Sequence, residues 1–375
     1  MNKLTIIQNI ASQLDNLSQE KSIKADNDID AIKIWLNEFI NSPNTFVSYK
    51  QTAERFIMWA IEHQQNLSSI TREDIQDYQD FLANPSPKSY WCGPAVARGN
   101  PEWKPFVKGL APSSIKLNLQ ILTTMYEYLI QSGYLSINPF RLIKRKSARL
   151  ETINKNIERY LTHKEWDYII QQINKMPQNT AHAKARYKRT KWIFNLLYYT
   201  GCRRSEICNG LMSDFIYKNG KWWLAVIGKG NKYGEIPVTP DLLSALIEYR
   251  QHLGLSDFPN RSETHIALVN SIKLSNGRLT GISDSMLYKT IKDTCRNIAD
   301  SLQHTDPSAS YVIKRVSTHW MRHTSATHQV DAGIDIRIVK ENLRHSLLET
   351  TMRYQHTEDN IRHSETINKF GNSKK

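Results

Sequence analysis

Between Arg141 and Tyr160 the chain carries seven Lys or Arg against two Glu and shows no apolar face of helical or strand period. Such a stretch cannot join a packed core. It reads as a charged, extended connection, and it cuts the 375 residues into two parts that are each long enough to bury a core of their own. Two domains are expected, with the linker proper at 146–158. The longest apolar run, Trp192 to Tyr199, is broken by Asn195 and falls well short of the roughly 20 residues that cross a bilayer. No membrane span is expected, and the polar start, with Gln8, Asn9 and Gln13, does not read as a secretory signal. Four scattered cysteines, Cys92, Cys202, Cys208 and Cys295, fit a reducing cytoplasm better than a disulfide framework.

Upstream of the linker, residues 1–40 are polar, and the run KADNDID reads as a flexible or capping segment ahead of the first packed helix. Asn44 or Thr45 can cap a helix whose inward face is Tyr49, Ala53, Phe56, Ile57 and Ala60. Thr71 and Asp74 have capping-box spacing and open a second helix that buries Ile75, Tyr78, Phe81 and Leu82 before Pro85 and Pro87 end it. From Ser86 to Pro112 lie five of the 13 prolines together with Trp91 and Trp103, the pattern of a loop pinned to the bundle by its tryptophans. Ser113 or Ser114 then opens a long amphipathic helix through Ile115, Leu119, Leu122, Tyr126 and Leu129, stopped by Gly133 and Pro139. Residues 41–145 therefore read as a small helical bundle.

Beyond the linker, residues 159–375 mix helices with one hairpin region. Thr162 starts a helix through Trp166, Ile169 and Ile170, and another runs from about Ala183 to Tyr199 before Thr200 and Gly201 break it. Asn219-Gly220 lies between FIYK and KWWLAVI, and a type I′ turn needs positive φ at both of its central residues. A second turn at GKGNKYG leads into EIPV, which completes a three-stranded antiparallel meander. From Ser244 onward the pattern returns to helix. The expected class is mostly α with one small antiparallel sheet.

A formal charge of +14 suits a polyanionic partner, and the first 40 residues, with four Lys against six acids, contribute none of the excess. Nucleic acid leads on that ground, although solubility charge alone gives the same balance. Four segments of the second domain concentrate reactive side chains. In TGCRRSEI a helix break sets Arg203, Arg204 and Glu206 at the next helix start, where a planar guanidinium can meet a phosphate. A surface ion pair between Arg203 and Glu206 explains the same residues without a ligand. In GKGNK, Lys229 stands between glycines at a hairpin tip with Lys232 just beyond, suited to a groove or to a solvated turn. In STHWMRHTSATH, Thr318 can cap a helix carrying His319 and Arg322 on one face. His323 and His328 invite a metal reading, but no carboxylate or thiolate lies at ligand spacing. In LRHSLLETTMRYQH, Ser346 and Glu349 form a capping box that sets Tyr354 about two turns into the helix following His345.

Taken in order, TGCRRSE, VIGKGNK, THWMRH and LRHSLLETTMRY resemble the tyrosine recombinase, or phage integrase, family over roughly residues 157–360. The bundle looks like that family's core-binding domain by pattern alone. The resemblance implies a site-specific DNA recombinase with Tyr354 as nucleophile, Arg203 and Arg322 as paired catalytic arginines, and Lys229 as the hairpin lysine. His319, His345 and Glu206 match the supporting positions. Arg344 departs from the pattern, since the family usually has glycine before that histidine and an arginine tolerates positive φ poorly.

That set makes chemical sense. A tyrosine ester of the cut strand stores the bond energy, so neither ATP nor a metal or cofactor is called for. Arg203, Arg322 and His345 can answer charge on the nonbridging oxygens, His319 can accept the tyrosine proton, and Lys229 can protonate the departing 5′ oxygen. Duplex DNA is the expected partner, held by Arg141, Lys144, Arg145, Lys146 and Lys232, with a homo-oligomer, a tetramer on paired sites, in the nucleoid-associated cytoplasm. A type IB topoisomerase would use nearly the same residues, whereas a catalytically silent DNA-binding regulator would not need all of them. A metal-dependent nuclease would need clustered carboxylates that the chain lacks.

Overall fold

The computed structural model describes residues 22–142, 159–228, 232–273 and 277–344. The chain divides into two compact units, Met1–Lys155 and Asn156–Lys375, and the division falls inside the expected linker. Among the described residues no helix is long and apolar enough to cross a membrane.

The first unit is all helical. It starts earlier than expected, because KADNDID does cap a helix, but that helix is already part of the core. The Asn27 side chain accepts a hydrogen bond from the Asp30 N–H at 3.0 Å and opens α1 (Asp28–Asn37), which buries Ala31, Ile32, Trp35 and Leu36. Asp28 is buried as well, where it accepts from the Leu67 N–H at 2.8 Å and the Tyr134 hydroxyl at 2.9 Å. α2 (Pro43–Glu62) begins at Pro43 rather than after Asn44 or Thr45, and α5 (Pro112–Gln131) begins at Pro112 rather than after a serine. Both prolines take the first helical turn, where a missing N–H costs nothing. Between them, α3 (Arg72–Ala83) has the expected reciprocal Thr71–Asp74 box. The loop that follows holds the short α4 (Lys88–Trp91), and Trp91 and Phe106 anchor it by packing edge-on against Phe81. Trp103 is only half-buried and lies under the Arg98 guanidinium. A 3₁₀ turn, Pro139–Leu142, tucks Phe140 into the core, so Arg141 belongs to this unit and not to the linker.

In the second unit α6 (His163–Asn174) opens on a Thr162–Glu165 capping box. α7 (Ala181–Thr200) is buried on nearly every side, with Trp192, Ile193, Phe194, Leu196 and Leu197 in the core, as expected of a central helix. After α8 (Arg204–Asn209) come β1 (Phe215–Lys218), β2 (Lys221–Gly228) and β3 (Lys232–Pro237), paired antiparallel in the order β1-β2-β3. Asn219 and Gly220 turn the first hairpin with φ of 53° and 74°, the type I′ signature. The remainder is helical: α9 (Pro240–His252), α10 (Asp284–Leu302), α11 (Pro307–Arg315), α12 (Thr318–Asp331) and α13 (Ile336–Leu343).

Candidate active site

The site is assembled where α7 ends. Gly201 closes that helix with φ 56°, and a Cβ there would stand 2.5 Å from Leu343 Cδ2, so only glycine fits between the two elements. The chain then turns through buried Cys202 to Arg203, which caps α8. Its N–H donates to Glu206 Oε2 at 2.7 Å and its guanidinium to Oε1 at 2.8 Å. The pair that sequence alone allows as a surface salt bridge is therefore half internal: the Glu206 side chain is 2% exposed and that of Arg203 36%.

Arg322 comes from α12, which Ser317 caps in place of the expected Thr318. Its guanidinium donates to the Gly201 carbonyl at 2.6 Å and to the Leu343 carbonyl, stapling the turn after α7 to the end of α13. Arg344 follows Leu343 in the left-handed conformation, φ 55° and ψ 44°, which a glycine would adopt without strain. The arginine is held there by its own contacts. Nη2 donates to Glu206 Oε2 at 2.5 Å, Nη1 donates to the Asn342 carbonyl at 2.8 Å, and the methylenes lie against Gly234 of β3, where a Cβ would come within 2.8 Å of Cδ.

Two guanidinium groups, of Arg203 and Arg344, thus hold one carboxylate, and that of Arg322 is stapled to the same turn. Burial works to raise the Glu206 carboxyl, but Arg344 and the N–H and guanidinium of Arg203 outweigh it and hold the group below its ordinary value. Burial, reinforced by Arg203 and Arg344, pushes Arg322 down to about 10, which leaves it charged at neutral pH. Burial also raises the Cys202 thiol, so it stays protonated and unreactive. His319 shares a contact of 2.7 Å between its Nε2 and that of His323. Desolvation, then Arg322, Arg159 and Arg203, lower its pKa, favouring a neutral imidazole able to accept a proton. The surplus of positive charge is what an anionic oxygen cluster requires.

Of the residues expected from sequence, Arg203, Glu206 and Arg322 converge, and His319 lies three residues from Arg322 on α12. Lys229, His345 and Tyr354 lie outside the described residues, as do Lys144, Arg145 and Lys146. Gly228, the last described residue of β2, is at the centre: a Cβ there would be 3.3 Å from Glu206 Oε1 and 3.7 Å from Arg203 Nη1. Arg204 turns away to pair with Asp284 at 2.6 Å. Arg141 is exposed and pairs with Glu127 at 3.1 Å, and Lys232 is exposed at the start of β3, opposite Gly228 in register. Arg344, visible in the sequence only as a departure from the motif, is a member of the site.

His328 does not pair with the other motif histidines. Among the described residues it forms the one group able to bring three potential metal ligands together, with His163 and Asp331. Both of its ring nitrogens are engaged, by the Tyr198 hydroxyl at 3.0 Å and the Leu161 carbonyl at 2.8 Å, and the His163 ring stacks on it at 3.6 Å. That arrangement ties the start of α6 to α12 and leaves His328 no free lone pair for an ion.

The chain matches the phage integrase family over residues 159–360. The tyrosine recombinase XerC of Thermodesulfovibrio yellowstonii is 26% identical over 290 residues, covering 76% of this chain and 84% of its own length. XerC of Myxococcus xanthus is 32% identical over 251 residues, 65% of this chain and 71% of its own. Among solved structures, the XerH site-specific recombinase bound to a palindromic difH substrate in a post-cleavage complex superimposes with a TM-score of 0.60 at 17% identity, over 97% of this chain and 94% of that one. The last likeness is one of fold.

Proposed function

The chain belongs to the phage integrase family and is a site-specific recombinase that cleaves and rejoins DNA, and from that premise we propose which residues carry the reaction. Tyr354 Oη attacks a backbone phosphorus, a Tyr–O–P bond forms and the P–O5′ bond breaks, leaving a 3′-phosphotyrosine. His319 takes the tyrosine proton and Lys229 gives one to the departing O5′. Attack by a 5′ hydroxyl of another strand runs the same steps backward and releases Tyr354. Because the ester keeps the energy of the broken bond, no ATP is consumed.

Arg203 and Arg322 stabilise the charge that develops on the nonbridging oxygens, with His345 as a further donor. Glu206 orients Arg203. The observation that carries this reading is the stapling of both arginines to one turn, Arg203 through Glu206 and Arg322 through the Gly201 carbonyl. A tyrosine nucleophile accounts for this design without a metal. Arg141, Lys144, Arg145, Lys146 and Lys232 follow the phosphates of duplex DNA, as the net charge of +14 favours. Protomers act as a homo-oligomer, a tetramer on paired sites, with residues 356–375 packing on a neighbour, in a nucleoid-associated, cytoplasmic setting.

The test is to incubate the full chain with DNA flanking its own gene and run denaturing gels for protein joined to a 3′ end. Wild type should give the covalent species with or without chelator, and Tyr354→Phe should bind DNA and give none. A covalent species formed by Tyr354→Phe, or abolished by chelator, would overturn the assignment.

A further inference from the structure

About 16 Å along α7 from Thr200, at 1.5 Å per residue, that helix carries an arginine with an unusual setting. Arg189 is 9% exposed, forms no ion pair or hydrogen bond among the described residues, and its Nε is buried without an acceptor. A guanidinium in such a place is costly unless something anionic meets it. It lines a pocket of about 190 Å³ with Tyr249, His252, Asn270, Ser271 and Leu279.

Among the described residues the surroundings offer no internal counter-charge. Burial and the nearby Arg186 both lower the Arg189 pKa, opposed only by the Tyr249 hydroxyl. His252 feels Lys188 and Lys184 from α7, and burial with those two charges keeps it neutral. The nearest carboxylate on α9, Glu248, is spent on Lys188 and Lys191 at 2.6 and 2.7 Å. The side-chain oxygen of Asn270 is likewise buried without a donor, a need that the O–H of a hydrogen phosphate answers and a carboxylate does not.

We propose that this pocket binds a phosphoryl group, with the Arg189 guanidinium as its bidentate anchor and the Asn270 amide oxygen as acceptor. The source is either free phosphate and its monoesters, which can fill both roles, or a phosphate of a nucleic-acid backbone, a diester without an O–H, which would engage Arg189 alone. The site is separate from the catalytic centre and independent of how that centre is read.

Thermal unfolding of the full chain decides it, with inorganic phosphate titrated against chloride at matched ionic strength. Wild type should show a saturable rise in Tm. Arg189→Met should show none, and without phosphate its Tm should equal or exceed that of wild type, because an unpaired buried charge has been replaced by a similar apolar volume. Arg186→Met, which alters an exposed charge nearby, should keep the response. In a second arm a short DNA duplex replaces phosphate; a rise that depends on Arg189 only there supports the site with a backbone phosphate as its occupant. If Arg189→Met does not fold, Arg189→Lys is used, which keeps the charge without the planar fork. A half-saturating concentration raised about tenfold supports the site. Responses to both ligands that match wild type in the Arg189 variant overturn it.

Discussion

Replacing Arg344 by glycine sets two effects of opposite sign against each other. The left-handed backbone at 344 costs a non-glycine residue about 1–2 kcal/mol, which glycine would recover. Against this, the side chains of Arg344 and Glu206 are 9% and 2% exposed, and breaking such a buried pair costs about 3–5 kcal/mol. Glu206 keeps both contacts from Arg203, so its residual charge is partly met. The net expectation for Arg344→Gly is a loss of about 2–3 kcal/mol, or about 4–12 °C in the melting of a unit of this size. Differential scanning calorimetry at pH 7, following the transition of the second unit, measures it. The pH dependence supplies an internal check. Glu206 is depressed in the folded state, so its stabilisation is complete above the ordinary value of 4.5 and fades as pH falls through the lower folded value. The gap between wild type and variant should therefore be widest near neutrality and shrink in acid. A variant as stable as wild type, or a gap that widens in acid, would show that the buried ion pair does not outweigh the backbone strain.

Gly201→Ala places a methyl 2.5 Å from Leu343 Cδ2 at φ 56°, so Tm should drop and cleavage should fall with it, since the Arg322 acceptor moves; unaltered melting would disprove the close fit. Lys229→Ala should slow cleavage of an ordinary phosphodiester by about 10²–10⁴ and slow a 5′-thio leaving group far less. Equal slowing of both substrates removes Lys229 from the acid role. Substituting Arg141, Lys144, Arg145 and Lys146 together should flatten the salt dependence of DNA affinity, by about 0.9 in log–log slope for each phosphate no longer neutralised. Arg141 already has Glu127 beside it, so its share should be the smallest, and an unchanged slope would rule out the basic strap.

What is legible in the sequence is local. The Asn219-Gly220 turn, the Thr71–Asp74 box and the helix start at Thr162 each need only a few adjacent residues, and all three form as expected, the last with Glu165 completing a box of its own. Hydroxyl and amide caps point to helix starts later than Pro43 and Pro112, because they compete as signals with prolines that already fit the first turn. α1 is masked by the acidic run that caps it, although Trp35 and Leu36 follow at once. Partners far apart in the chain cannot be read. Glu206 and Arg344 are 138 positions apart, and His328 meets Leu161 across 167; no periodicity encodes either contact. The departure at 344 is visible as a mismatch, but its resolution needs the fold.

The stapled turn has a consequence for protein quality in the cell. Its parts lie at Gly201–Glu206, at Arg322 and at Leu343–Arg344, so the turn cannot be stapled until synthesis has passed residue 344. A fragment ending between residues 206 and 322 keeps Arg203 and Glu206 but has neither Arg322 nor Arg344 to hold the turn. Unfinished copies are thereby denied the staple by chain order itself.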